Sequence, residues 1–293
     1  MRILNYGSIN IDHVYQVDHF VQPGETQAAI GYHQYCGGKG LNQSMALAAA
    51  GAEVYHAGRV GPDGVHICEQ MKAKGVKTEF ITIGDEPTGH ALIQVTASGE
   101  NCIITFGGAN HLIDSIAIDQ VLLHFEAGDF LLVQNEISAV PYLIEKAAKR
   151  GMKIIFNPAP LNRLALHTLE HVNYFIVNEV EGAGLTGAST PETILTTMAE
   201  KYPKAQTILT LGENGVSWLE RNQIHHLPAV PVRVVDTTAA GDTFIGYFVT
   251  ELVQGTSLQS SLEIASQAAA LCVTRPGAAA SIPSRAEVVN FVK

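Results

Sequence analysis

The sequence predicts an α/β fold: a doubly wound, mostly parallel sheet flanked by helices, with a small antiparallel β lid. Three observations carry this. Short apolar runs alternate with longer helical patterns along most of the chain, the rhythm of repeated βα units. The run Phe130–Gln134 is nearly continuous in apolar residues, as in a strand covered on both faces. Two segments, Ile11–Tyr35 and His90–Phe106, break the rhythm with β-like pieces around Pro23-Gly24 and Ala97-Ser98-Gly99.

Arg2–Ile9 is the first strand. Leu41–Ala50 is a helix stopped by Gly51, whose missing Cβ suits the left-handed cap. Glu53–Val60 is the next strand, and His90–Thr96 with Glu100–Phe106 forms a hairpin. The hairpin and Ile11–Tyr35 make a flap that is either an active-site lid or a surface decoration; periodicity alone does not separate the two. Asp114–Phe125 is a helix with Ile116, Val121 and Leu122 on its buried side. Then follow strand Phe130–Gln134, helix Pro141–Lys149, strands Lys153–Asn157 and Tyr174–Asn178, helix Thr190–Lys201 and strand Gln206–Leu211. Two helices close the chain: Asp242–Gln254, stopped by Gly255, and Ser257–Thr274, stopped by Arg275-Pro276-Gly277. With no internal repeat and no Pro/Ser/Gly-rich linker, residues 1–293 read as one domain whose lid spans about 11–36 and 88–107.

A chain of 293 residues can bury a large core without disulfides or metals. Its 18 basic and 28 acidic residues leave a formal charge of −10, a field that disfavours nucleic acid and anionic membrane as partners. A bound phosphate must then be held by local amides and a few cations. The cysteines Cys36, Cys68, Cys102 and Cys272 lack C-x-x-C spacing and read as reduced cytosolic thiols. The N-terminus lacks a signal-peptide pattern and the apolar run Ala46–Ala50 is too short for a membrane span, so a soluble cytoplasmic protein is expected.

Gly37-Gly38-Lys39-Gly40-Leu41-Asn42-Gln43 runs three glycines into a helix start. It is either a tight turn or a close backbone approach to a ligand, with Lys39 and Asn42 offering donors to the hydroxyls of a polyol. It is not a Walker A loop, because Gly rather than Ser or Thr follows Lys39. The stronger signal is Asp236-Thr237-Thr238-Ala239-Ala240-Gly241-Asp242-Thr243-Phe244. Its small residues precede a helix, so the amides of Ala239, Ala240 and Gly241 can converge on an anion with the helix dipole behind them. Asp242, in the first turn, either serves the dipole or accepts a hydroxyl proton beside that anion hole. Asn178-Glu179-Val180-Glu181 ends a strand at the carboxyl edge of the sheet, where ligands of open α/β sheets bind. Asn178 and Glu181 are either a helix-capping pair or holders of hydrated Mg²⁺. Thr210-Leu211-Gly212-Glu213-Asn214-Gly215 ends another strand as a hairpin turn or a nucleotide-phosphate loop.

Taken together, Gly7–His13, Gly37–Gln43, Asn157–Pro160, Asn178–Glu181, Thr210–Gly215, Asp236–Phe244 and Thr274–Ala278 resemble, in order and spacing, the motifs of the ribokinase-like carbohydrate kinase family of phosphofructokinase-B type. The resemblance covers essentially the whole chain. It implies a kinase that uses ATP and Mg²⁺, with K⁺ as monovalent activator, to phosphorylate a primary hydroxyl of a small sugar, ribose first. It implies Asp242 as general base and Ala239, Ala240 and Gly241 as anion hole. Asn10, Asp12, Gly38, Lys39, Asn42 and Glu136 match sugar-holding positions. Asn178, Thr210, Leu211, Gly212, Glu213, Asn214 and Gly215 match the ATP site, and Glu181 the Mg²⁺/phosphate carboxylate. Asp236, Thr238, Cys272, Arg275, Gly277 and Ser281 match a monovalent-cation loop, and the flap resembles a lid that also clasps a homodimer. Departures are Ala239 where many members carry Gly, Ile137 where proline often follows the glutamate, and Ser266 where Asn or His often lines the adenine pocket.

Other readings remain: a kinase for fructose, another ketose or a nucleoside, or a sugar sensor that kept the fold but not the chemistry. Intact Asp242 with its small-residue approach weighs against the sensor. A nicotinamide dehydrogenase is excluded, because GSINID after the first strand lacks G-x-G-x-x-G.

Overall fold

The first strand, β1 (Ile3–Tyr6), is buried at every residue, so neither of its faces meets water. It is followed by β2 (Asn10–Gln16), β3 (Gly31–Gly37), α1 (Lys39–Ala49), β4 (Val54–Val60), α2 (Val65–Ala73) and β5 (Lys77–Ile83). Then come β6 (Gly89–Val95), β7 (Asn101–Phe106), α3 (Ser115–Leu122), β8 (Phe130–Gln134), α4 (Val140–Lys149) and β9 (Lys153–Asn157). The remainder is β10 (Tyr174–Asn178), α5 (Glu179–Thr186), α6 (Pro191–Lys201), β11 (Gln206–Thr210), β12 (Val216–Glu220), β13 (Gln223–Leu227), α7 (Ala240–Val253), α8 (Leu258–Cys272) and α9 (Arg285–Phe291). The computed structural model describes residues 1–161 and 166–291.

These strands build a nine-stranded sheet in the order β13-β12-β11-β10-β9-β8-β1-β4-β5, parallel from β5 to β11 and antiparallel at its β12–β13 edge. Alternate residues of each strand go to opposite faces. Leu131, Val133, Phe156 and Val177 pack on one side with α3, α4 and α6; Leu132, Ile155, Ile176 and Ile208 pack on the other with α1, α7 and α8. Both faces are therefore covered, which is why the runs read as continuously apolar. A second sheet, β3-β2-β6-β7, is the predicted flap; its outer pairings are antiparallel and its β2–β6 seam is parallel.

Most element boundaries lie within two residues of expectation, and β8, β9 and β10 coincide with it. The helix after the glycine loop starts at Lys39 rather than Leu41, with Gly38 outside it at φ 93°. Ile116 corrects the expected face of α3: it is 67% exposed, whereas Ile118, Val121, Leu122 and Phe125 are buried. That buried set has helical i, i+3, i+4, i+7 spacing, and Ile116 lies off the stripe. The four cysteines are free thiols. No helix among the described residues is long and apolar enough to cross a membrane.

One close contact positions the site. A Cβ added at Gly246 of α7 would lie 2.4 Å from Ala46 Cβ of α1, so only glycine lets the two helices approach this closely. That approach brings the polar start of α1 against the start of α7.

Candidate active site

Parallel strands that share a register also share an end. Gln134 pairs with Asn157, and Asn178 with Thr210, so their polar side chains line up along the carboxyl edge of the sheet. There a cleft of about 220 Å³ is lined by Lys39, Asn178, Glu181, Thr210, Gly241 and Asp242, among others. Residues predicted separately from four motifs thus meet in one cavity.

Asp242 sits in the first turn of α7, only 9% exposed. Each carboxylate oxygen has a donor from α1: Asn42 Nδ2 donates to Oδ2 at 3.1 Å and Gln43 Nε2 to Oδ1 at 2.9 Å. Ala239 precedes the helix in the left-handed region at φ 60°, a conformation that favours glycine. Of the three predicted anion-hole amides, that of Ala240 is engaged, donating to the Thr237 carbonyl at 3.2 Å. Those of Ala239 and Gly241 find no acceptor among the described residues. A Cβ at Gly241 would meet nothing within 4 Å, so the backbone here faces open cleft.

Lys39 stands among carboxylates. Burial alone would lower its pKa, but Asp242, Glu136 and Glu181 outweigh that and raise it. Glu136 is raised by burial, although Ser8 Oγ donates to it and the Lys39 amide donates to it at 3.1 Å. Asp12 is pushed up to about 6, first by burial and then by the charge of Glu136, and no hydrogen bond from the described residues offsets either. Asp12 lies over Gly37, where a Cβ would come within 2.0 Å of its Oδ2. Asn10 is held by Asn110, whose Nδ2 donates to Asn10 Oδ1 at 2.8 Å and whose Oδ1 accepts from the Ile9 amide at 3.0 Å. Asp12, Asn10, Glu136, Gly38, Lys39 and Asn42 therefore gather where β1, β2, β8 and α1 meet.

Asn178 and Glu181 do form the capping pair. Asn178 Oδ1 accepts from the Glu181 amide at 2.8 Å, and Glu181 Oε2 accepts from the Asn178 amide at 3.0 Å. Glu181 also lines the cleft, and burial raises its pKa against the opposing pull of the Asn178 amide and Lys39. The Thr210–Gly215 segment is divided. Thr210 lines the cleft, whereas Gly212–Asn214 is a turn joining antiparallel β11 and β12. Leu211 is buried in the core, and Gly215 is demanded by packing, since a Cβ there would meet the Leu227 carbonyl at 2.1 Å.

The loops 236–238 and 272–281 do fold together. Asp236 Oδ1 accepts from Thr238 N at 2.9 Å and Thr238 Oγ1 at 2.7 Å, and Oδ2 accepts from Gly277 N at 2.9 Å. Burial would raise this carboxyl; those donors prevail and lower it. Cys272 Sγ lies 3.1 Å from Ser281 Oγ beneath the loop. The helix-end carbonyls are not spare: Cys272 O accepts from Arg275 N at 3.1 Å and Val273 O from Val235 N at 2.8 Å. The Arg275 side chain turns away to pair with Glu287 at 2.7 Å. Ser266 lies half-buried on α8.

Sequence reasoning passed over Ser8, Asn110, Asn5 and Gln134, which brace the predicted residues from behind. Ser8 lies within the quoted Gly7–His13 motif; the other three carry no local signal.

The family profile described as pfkB family carbohydrate kinase matches residues 2–285. The chain is 36% identical to the ribokinase of Haemophilus influenzae over 98% of this chain and 97% of the relative. Among solved structures it superposes on ribokinase from Thermotoga maritima with a TM-score of 0.89 at 34% identity, covering 99% of this chain and 98% of that one. Arabidopsis thaliana ribokinase, solved in complex with ribose and ATP, gives 0.89 at 30% identity, covering 100% and 98%. Since the profile and these relatives run along nearly the full length, and the cleft gathers a first-turn carboxylate with polar strand ends, the chain belongs to the pfkB family of carbohydrate kinases.

Proposed function

We propose that the protein transfers the γ-phosphoryl group of ATP to the primary hydroxyl of D-ribose. The observation that carries this is the placement of Asp242 beside the open face of Gly241, with both carboxylate oxygens oriented by donors. Asp242 accepts the hydroxyl proton as that oxygen bonds to the γ-phosphorus; the bond from γ-phosphorus to the bridging oxygen breaks and ADP leaves with the electron pair. The Ala239 and Gly241 amides and the α7 dipole hold the moving negative charge. Asn10, Asp12, Glu136 and Asn42 hold sugar hydroxyls, Lys39 offsets part of the negative charge of Asp242, Glu136 and Glu181, and Thr210 and Asn178 line the nucleotide side. The lid of β2, β3, β6 and β7 excludes water. The ribokinase relatives, one solved with ribose and ATP, support the sugar and the donor.

Mg²⁺ supplies charge neutralisation on the transferred phosphates when bound. Both Glu181 oxygens accept hydrogen bonds from Asn178, so Glu181 suits a hydrated ion held through its waters. An activity panel tests the function: with MgATP, ribose should give the highest kcat/KM for ADP release among ribose, 2-deoxyribose, fructose and a nucleoside. A nucleoside or hexose preferred over ribose would overturn the substrate assignment.

K⁺ is assigned to the Asp236 loop, where a carboxylate kept ionised by the Thr238 and Gly277 donors lies between the two turns. A bound ion would set the approach to Ala239 and Gly241 before reaction rather than during it. Activity should rise severalfold as KCl replaces choline chloride at constant ionic strength, which holds general screening fixed. A flat response removes the cation from the account and leaves the kinase.

The lid also fits a second copy of this chain. Ile104 is 62% and Phe106 53% exposed on β7, a strand exposed at every residue. Isolated apolar strands at a sheet edge call for cover. Sedimentation should show a dimer that Ile104→Asp with Phe106→Asp converts to monomer; a monomeric wild type would refute the clasp.

A further inference from the structure

We propose that Gln43 is a positioning residue for the base, presenting an N–H to Asp242 in an orientation imposed by a buried chain of amides. This rests on the reading of Asp242 as base.

A primary amide has a donating and an accepting end, and main-chain carbonyls only accept, so a carbonyl at either end of an amide chain sets its direction. Asn5 Nδ2 donates to Gly40 O at 2.8 Å, which turns Asn5 Oδ1 toward Gln134. Gln134 Nε2 donates to that oxygen at 2.9 Å and to Gln43 Oε1 at 2.6 Å. With its oxygen engaged, Gln43 has its nitrogen left for Asp242 Oδ1 at 2.9 Å and Asn157 Oδ1 at 3.2 Å. A second anchor agrees from the other side: Asn157 Nδ2 donates to Ile176 O at 3.0 Å, which turns its oxygen toward Gln43. Two independent carbonyls thus impose the same orientation on one side chain.

Gln43 cannot act by touching substrate. It is 0% exposed, as are Asn5 and Gln134, and it is absent from the lining of the cleft. Its partner Asp242 is the cleft-lining group. Beyond Asn5 the chain runs through Ser44 Oγ to His56 Nδ1 at 2.8 Å. Burial drives His56 down to about 4, so it stays neutral and places no second charge behind the carboxylate. A charge-assisted bond in such a site is strong and short of alternatives, and its loss lets the carboxylate rotate from its reactive pose.

The test uses the full chain and steady-state kinetics with ribose and MgATP, beside sugar affinity measured calorimetrically and thermal stability. Gln43→Met keeps the volume and removes the donor. It should lower kcat about 10- to 100-fold with sugar affinity within about threefold, the size of a lost charge-assisted hydrogen bond. Gln134→Met leaves Gln43 in place but removes one of the two anchors of its amide, and should give a smaller loss of the same kind; it also serves if Gln43→Met fails to fold. In an Asp242→Asn background, Gln43→Met should cost no further activity, which a merely structural residue would not obey. Near-normal kcat in both Met variants while Asp242→Asn is inactive would overturn the positioning role and keep the base. Near-normal kcat in Asp242→Asn would instead overturn the base, and with it this inference.

Discussion

Asp242→Asn is expected to lower kcat by about 10²–10⁴, the usual worth of a general base, while sugar affinity changes little. The site is built to accept this substitution without collapse. The new amide oxygen can face Gln43 Nε2, where Asp242 Oδ1 now accepts at 2.9 Å. The new amide nitrogen would then face Asn42, whose Oδ1 is buried without a partner, so a turn of that side chain supplies an acceptor. Shape, volume and burial survive; only the capacity to take a proton is lost. Rapid quench and equilibrium sugar binding on the same preparation separate the two effects, and a variant with near-normal kcat would remove Asp242 from the chemistry.

Asp12→Ala should raise the sugar KM by more than about tenfold and leave the ATP KM within about threefold, since a charge-assisted hydrogen bond is worth about 1.5–3 kcal/mol. Asp12 is a carboxylate that burial and Glu136 have already made costly to ionise, with no donor among the described residues to relieve it. Hydroxyls arriving with a sugar are the missing donors. The sign of the pH dependence follows: the carboxyl is raised from 3.8 to about 6, so its neutral form grows in as pH falls through 6. Sugar affinity should therefore weaken on that descent in the wild type, and the Asp12→Ala variant should lack the change. An unchanged sugar KM in the variant would place Asp12 outside the pocket.

What could be read before folding, and what could not, divides along range. β8, β9 and β10 were legible to the residue because strands buried on both faces are apolar through their interiors. Edge elements were not: β5 is half polar and half exposed, and β12 and β13 follow a turn that reads equally as a phosphate loop. α5 was hidden because Gly182 and Gly184 lower its helical signal, though Gly182 packs within 2.7 Å of Ile194 if given a Cβ. In the site, motif residues such as Asp242, Lys39 and Asn178 announced themselves by their small-residue or strand-end settings. The groups that orient them did not, because their partners are distant in the chain: Gln43 lies 199 residues from Asp242 and 91 from Gln134. No local pattern encodes such a pairing. Glu181 shows the reverse limit, since one short motif serves a cap and a cleft at once.

The central claim is that this cleft moves a phosphoryl group from ATP to the primary hydroxyl of ribose with Asp242 as base. It is tested most directly by incubating the protein with γ-labelled ATP, Mg²⁺ and D-ribose, with wild type and Asp242→Asn side by side. Phosphorus NMR then locates the ester formed. The account predicts label transferred to the primary hydroxyl of ribose in step with ADP release, with no other ester, and its near disappearance in the variant. ADP released without a ribose phosphate, or equal transfer by wild type and Asp242→Asn, would contradict it.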